Sequence, residues 1–325
     1  MNQVLGIGAA LVDLVSSVSE EWLKNTKVPK GGMTLVDFQT LETLLKGIDK
    51  SEKVPGGSAS NTIVGLSKLG QKTSFLSKIK EDALGMLYEN HLKNAHVESL
   101  LKKSEVPTGC VLSAVTEDAA RTMFSFLGAS DTLSAEDIDD SLFQEISLVY
   151  LEGYRAFDAV TFTHILKMAK KNHVKTAVDF GSFGVVETMH SLFENLFQEH
   201  LIDMIFANED EAKAYTGLSA EKSIEILGHL APLAVVKVGK DGAFISYNGE
   251  VIQVPAIPVQ AKDTTGAGDL WAAGFLYAFL NKCNTLKAGL FASEVAAEVI
   301  QIQGASISDE RYAYLKEKFL KEYAV

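Results

Sequence analysis

The chain is poor in cysteine, in basic charge and in long apolar runs, and each shortage closes off a class of protein. Only Cys110 and Cys283 are present, too few for a disulfide framework or a cysteine zinc site. That usage fits a reducing cytoplasm, which is the expected location. Lys and Arg number 30 against 42 Asp and Glu, for a formal charge of -12. Nucleic-acid backbones and anionic membrane surfaces attract basic faces, so neither is expected as a main partner. No stretch approaches the roughly 18 uninterrupted apolar residues of a membrane span. The opening Met1-Asn2-Gln3-Val4-Leu5-Gly6-Ile7-Gly8 lacks a basic segment and a cleavable apolar core, which speaks against secretion. Repeats, low-complexity tracts and linkers are also missing. What remains is 325 residues with 47% hydrophobic content, enough to bury a large core in one domain.

The most informative stretch is Asp263-Thr264-Thr265-Gly266-Ala267-Gly268-Asp269, followed by the apolar run Leu270 to Leu280. It predicts a turn feeding a helix. Glycines let backbone approach a ligand closely, and the first helical turn leaves amide N–H groups without internal partners. With the helix dipole, those amides suit a phosphate. Asp269 would repel that phosphate unless it takes a proton from the attacking hydroxyl. The plainer reading is that Asp269 caps its helix, but two glycines, two threonines and a second Asp are more than a cap needs.

This stretch resembles the D-T-x-G-A-G-D signature of the ribokinase-like carbohydrate and nucleoside kinases. The resemblance implies that Asp269 is the catalytic base, and that the backbone of Gly266, Ala267 and Gly268 stabilises the transferred phosphoryl group. Thr264 and Thr265 would then line the nucleotide side. Pro55-Gly56-Gly57-Ser58-Ala59-Ser60-Asn61, ahead of a helix closed by Gly70, resembles the family's second signature, G-G-x-x-x-N. It implies that Gly56, Gly57 and Asn61 hold acceptor hydroxyls. Asp13 shares a strand face with Leu11 and Val15 by the period of two. It caps a turn, sits at a strand edge or, as the resemblance implies, accepts hydrogen bonds from a sugar as the family's Asp does.

Strand and helix alternate from Leu148 onward, which requires parallel strands with crossover helices on both faces. In such sheets ligands sit beyond the carboxyl ends of the strands. Phe183 and Tyr154 follow or end two of these strands and are candidate walls for an aromatic base, the alternative for Phe183 being the core. The run Asn208-Glu209-Asp210-Glu211 is either favourable charge at a helix N-terminus or, by resemblance of Asn208 and Glu211 to the family's N-x-x-E motif, a pair that holds water around magnesium. Gly239 and Gly242 resemble the turn beside which the nucleotide lies, and the helix containing Ala292 resembles the one covering the adenine. Arg121 is either surface charge or the family's lid-side arginine reaching toward the phosphates.

The expected fold is a ribokinase-like three-layer α/β/α sandwich over residues 1–325, with a mainly parallel sheet and a small β lid formed by about residues 11–37 and 105–128. The resemblance is greatest to bacterial adenosine kinases. It implies transfer of the γ-phosphoryl group of ATP, with Mg2+, to the 5′ hydroxyl of adenosine, by a monomer or a lid-mediated homodimer. Two departures stand against adenosine: Ala9 replaces a common Asn, and Arg155 puts charge near the expected base. A sugar or sugar-acid kinase is therefore the alternative. A non-catalytic nucleotide sensor fits less well, because it has no use for a base at Asp269.

Overall fold

The computed structural model describes residues 3–48, 50–118 and 120–324, so Met1 and Asn2 of the opening run lie outside the described residues. The first half runs β1 (Gln3–Ile7), β2 (Leu11–Ser17), α1 (Glu20–Asn25), β3 (Met33–Leu35), α2 (Phe38–Leu45), β4 (Glu52–Gly56), α3 (Ser58–Leu69), β5 (Thr73–Leu76), β6 (Lys78–Ile79), α4 (Ala83–Asn94), β7 (Glu98–Ser99), β8 (Lys102–Lys103), β9 (Gly109–Val115) and β10 (Arg121–Phe126). Then follow β11 (Ile146–Glu152), α5 (Ala159–Lys171), β12 (Lys175–Asp179), α6 (Phe183–Thr188), α7 (His190–Gln198), β13 (Met204–Asn208), α8 (Glu209–Thr216), α9 (Ala220–Leu230), β14 (Leu233–Lys237), β15 (Ala243–Tyr247), β16 (Glu250–Val254), α10 (Ala267–Leu280), α11 (Thr285–Val299) and α12 (Asp309–Lys318).

Nine strands form the main sheet in the order β16-β15-β14-β13-β12-β11-β1-β5-β7. Pairs from β14 through β7 are parallel, and β15 and β16 close one edge antiparallel. Alternation along the strands divides the interior in two. Leu148, Tyr150, Met204, Phe206, Leu233 and Val235 join a core with α3, α10 and α11. Val149, Leu151, Ile205, Ala207, Ala234 and Val236 join a core with α5, α7 and α9 on the opposite face. Two apolar faces on each strand are what a sheet covered on both sides demands, and the three-layer arrangement follows.

Helix α10 is apolar almost all round, which a helix tolerates only when surrounded. It packs between α3 and α11. A Cβ at Gly274 would come 2.9 Å from the Ala292 Cα, so the glycine permits the α10–α11 approach. This packing fixes the N-terminus of α10 relative to that of α3, and the two N-termini carry the site.

A second sheet, of five strands in the order β3-β10-β9-β2-β4, stands where the small β lid is expected. It includes β4, which the expected ranges 11–37 and 105–128 leave out. The run from Thr73 to Ile79 is divided between two sheets at Ser77, whose hydroxyl accepts from Ala10 N at 3.0 Å and whose carbonyl accepts from Lys102 N at 2.9 Å. One lid face, with Val12, Leu14, Leu112 and Phe124, is buried in the core. On the other, register aligns Asp13 with Val54 and Val111, and Val15 with Ser113, Met123 and Met33. No described helix is long and apolar enough to cross a membrane.

Candidate active site

Two helix N-termini converge on Asp269. Ser58, the first residue of α3, donates from Oγ to Asp269 Oδ1 at 2.8 Å. Asn61, one turn later on the same face, donates from Nδ2 to Oδ2 at 2.8 Å. Thr62 Oγ1 donates to the Asp269 carbonyl at 3.1 Å. The chain reaches this position only through Gly57, at φ 97, where a Cβ would lie 2.4 Å from the Ala9 carbonyl oxygen. Gly266 caps α10 at φ 74, and a Cβ there would meet Ala305 Cβ at 2.4 Å. Both glycines are therefore required by backbone conformation and by crowding.

The turn before α10 is held from within. Asp263 Oδ1 accepts from Thr265 N at 2.9 Å and Thr265 Oγ1 at 2.6 Å, while its Oδ2 accepts from Gly304 N at 2.8 Å. Ala267 N donates to the Thr264 carbonyl at 3.2 Å. The amides of Gly268 and Asp269, by contrast, stand at first-turn positions that have no intrahelical acceptor. The expected donor Ala267 is instead occupied by the turn.

From the lid, Arg121 bridges to this turn. Its guanidinium donates to Thr265 Oγ1 at 3.1 Å and to Ser113 Oγ at 2.8 Å, and lies 3.5 Å from Asp13 Oδ1. Asp13 packs over Gly56, where a Cβ would sit 2.7 Å from its Oδ2. Burial raises the Asp13 carboxyl, opposed by Arg121 and Ser113. Arg121 is accordingly tied to the Thr265 turn and to β9 rather than free surface charge.

Below Asp269 lies a charged cluster that the sequence did not single out. Lys237, last in β14, donates from Nζ to Asp179 Oδ2 at 3.0 Å. Asp179, last in β12, also accepts from Gly181 N at 3.1 Å and Tyr150 OH at 3.3 Å. Glu152, last in β11, accepts from Ala9 N at 2.7 Å and Ala59 N at 3.1 Å, tying the segment between β1 and β2 to the start of α3. Burial pushes the Glu152 carboxyl up to about 7 against the pull of those two amides. Burial likewise pushes Asp269 up to about 6, with Asp179 adding to it and Asn61, Ser58 and Lys237 opposing. Such a value suits a base working near neutral pH.

Asn208 and Glu211 form a capping box at the start of α8. Asn208 N and Nδ2 donate to the two Glu211 oxygens at 2.9 and 2.8 Å, and Asn208 Oδ1 accepts from Glu211 N at 2.9 Å. Glu211 is buried, and burial followed by Asp179 raises its carboxyl. Among the described residues no group of three or more His, Cys, Asp or Glu is arranged to hold a metal.

Other expected residues fall further out. Tyr154 donates from its hydroxyl to the Gly181 carbonyl at 2.8 Å, its ring lying against Gly181. Phe183 opens α6 at 59% exposure. Gly239 and Gly242 form the β14–β15 turn, and Gly242 at φ 95 leaves no room for a Cβ beside the Val254 carbonyl. Ala292 is fully buried at the α10–α11 contact, so it shapes the helix pair and presents no surface of its own to a nucleotide. Arg155 is corrected: it is buried, donating to the Ser130 carbonyl at 3.1 Å and the Leu133 carbonyl at 2.8 Å. Its guanidinium also lies 3.8 Å from Asp158 Oδ2 and acts on the Glu152 carboxylate.

A family model described as pfkB family carbohydrate kinase matches residues 25–311. The solved adenosine kinase from Sinorhizobium meliloti is similar with a TM-score of 0.86 and 29% identity, over 96% of this chain and 98% of that one. A probable sugar kinase protein from Rhizobium etli CFN 42 gives a TM-score of 0.88 and 27% identity, over 98% of each chain. A curated nucleoside kinase from Methanothermobacter thermautotrophicus is 28% identical over 280 residues, which is 79% of this chain and 82% of its own.

Proposed function

Because the chain belongs to the pfkB family of carbohydrate kinases, and so is an ATP-using phosphotransferase with an alcohol acceptor, we propose that its acceptor is a purine nucleoside, adenosine, phosphorylated at the 5′ hydroxyl. The observation that carries this reading is the open lid face. Register and alternation put Asp13, Arg121, Val15, Met123, Met33 and Leu35 on one face of this sheet. Met33 is 47% and Leu35 56% exposed. A carboxylate for ribose hydroxyls beside an apolar face for a flat base matches a nucleoside, whereas a simple sugar has no apolar body to cover that face. The likeness to the Sinorhizobium meliloti adenosine kinase supports it. Arg155, the main objection from sequence, is engaged with main-chain carbonyls.

In the reaction, the acceptor hydroxyl gives its proton to Asp269 as its oxygen bonds to the γ phosphorus. The bond from that phosphorus to the bridging oxygen breaks, and the electron pair leaves with ADP. Charge growing on the transferred group faces the Gly268 and Asp269 amides and the positive end of α10. Ser58 and Asn61 hold both Asp269 oxygens, so the carboxylate is oriented before the acceptor arrives. Magnesium, when bound, neutralises phosphate charge, and Asn208 with Glu211 would orient its water.

The second reading is a sugar or sugar-acid acceptor, favoured by the likeness to the Rhizobium etli probable sugar kinase. Specificity constants for adenosine, inosine, ribose, fructose and a keto-deoxy sugar acid separate the two. Adenosine should lead by tenfold or more. A sugar or sugar acid ahead by that margin replaces the nucleoside reading.

A further inference from the structure

We propose that Lys237 is a catalytic residue, an ammonium that Asp179 stores in the free enzyme and that binds the transferring phosphoryl oxygens during turnover. The inference rests on phosphoryl transfer at this site and is independent of which acceptor is used.

The geometry comes from three directions. A Cβ built on Gly268 would lie 3.2 Å from Lys237 Nζ, so the ammonium stands directly beside the first turn of α10, where the unpaired amides point. Lys237 is the last residue of β14 and pairs in register with Asn208, the last of β13, which puts it at the carboxyl edge where ligands of parallel sheets sit. An ammonium has three donors, and its hydrogen bond to a described residue is the one to Asp179 Oδ2. Two donors are left for an anion.

The charge balance points the same way. Asp179, Glu211 and Asp269 surround one lysine whose side chain is 14% exposed, and all three act on it electrostatically. The cluster is negative before a nucleotide arrives. Phosphate oxygens entering beside three carboxylates need positive charge fixed in place, because in a water-poor site uncompensated repulsion is large. Arg121 reaches the turn from the lid side through Thr265. Lys237 supplies the opposite side, from the rigid sheet. Burial alone would lower the Lys237 ammonium, but Asp179 and then Glu211 outweigh it and keep the side chain charged.

A purely structural role, in which Lys237 only neutralises Asp179, makes a different forecast. Removing both members of a buried pair leaves no unpaired charge behind, and such exchanges are often neutral for the fold. The experiment therefore compares Lys237→Met with the double variant Lys237→Met/Asp179→Asn. The readouts are kcat and KM for ATP, and calorimetric binding of inorganic tripolyphosphate with magnesium. Loss of one preorganised donor to a developing charge typically costs about 10²–10³ in kcat. We expect that loss in both variants, with tripolyphosphate binding weakened about tenfold or more in each. Lys237→Arg should retain part of both. Should Lys237→Met fail to fold, the double variant and Lys237→Arg decide. Recovery of the double variant to within threefold of wild type, in turnover and in tripolyphosphate binding, overturns the proposal and leaves Lys237 as the partner of Asp179. If instead the wild-type enzyme consumes no ATP with any alcohol, it is the kinase reading of the site that fails.

Discussion

Replacing Asp269 with Asn separates the two effects that burial has on this carboxylate, one on catalysis and one on stability. Its carboxyl lies at about 6 in the fold against an ordinary 3.8, chiefly through burial. Catalysis by the ionised form should therefore lose about tenfold in kcat/KM per pH step below 6, because only the carboxylate can accept a proton. The amide introduced by Asp269→Asn accepts none. The variant should lie about 10²–10⁴ below wild type and lose the acid limb near 6. Stability should move the other way. An acid whose value is raised by folding is strained when ionised, and moving it from 3.8 to about 6 corresponds to about 3 kcal/mol above pH 6. That strain is relieved as pH falls through 6 toward 3.8. At pH 7.5 the Asn variant should resist urea better than wild type, and the gap should close as pH drops. The gain is reduced by the amide facing one donor: Ser58 can turn its hydroxyl to accept, whereas the Asn61 amide must flip. Turnover within threefold of wild type, or an acid limb that persists in the variant, would refute the assignment of Asp269 as base.

Glu211→Gln replaces one acceptor in the capping box by a donor facing Asn208. It should raise the magnesium concentration for half-maximal rate with acceptor KM nearly constant, and an unchanged magnesium titration would remove Glu211 from the cation's surroundings. Arg155→Ala strands the Leu133 carbonyl and leaves the Ser130 carbonyl only its 3.4 Å bond from Leu133 N, at about 1–3 kcal/mol for a buried unpaired group. Urea midpoints should fall while the adenosine-to-ribose ratio of specificity constants stays put, and a reversed preference would return Arg155 to the acceptor pocket. Glu152→Gln offers one amide oxygen where two backbone donors, Ala9 N and Ala59 N, need acceptors. Acceptor KM should rise more than KM for ATP, and a larger effect on ATP would mean that the tie does not serve the acceptor loops.

How far the sequence exposes this site depends on whether a residue's partners are local. The α10 turn and the α3 N-terminus are legible because glycine with positive φ, first-turn polar residues and a following apolar run lie within a few positions of one another. Double alternation in β11, β13 and β14 likewise announces a sheet covered on both faces. Strand β4 was hidden because Glu52-Lys53-Val54-Pro55-Gly56 carries two charges and a proline, tolerated only at a sheet edge, and β4 is the lid's edge. Glu152, Asp179 and Lys237 were hidden differently. Each is one charged residue closing an apolar strand, with its partners far away in the chain. Yet they share a pattern with Asn208: four adjacent parallel strands, β11 to β14, all end on a polar side chain. Register sets Glu152 opposite Asp179, and Asn208 opposite Lys237. A polar residue that closes one buried strand is a weak sign, since strands must end somewhere. Four in a row along the carboxyl edge of a parallel sheet form a line of charge that the core does not need, and the N-terminus of α10 lies over that line at Gly268 and Lys237.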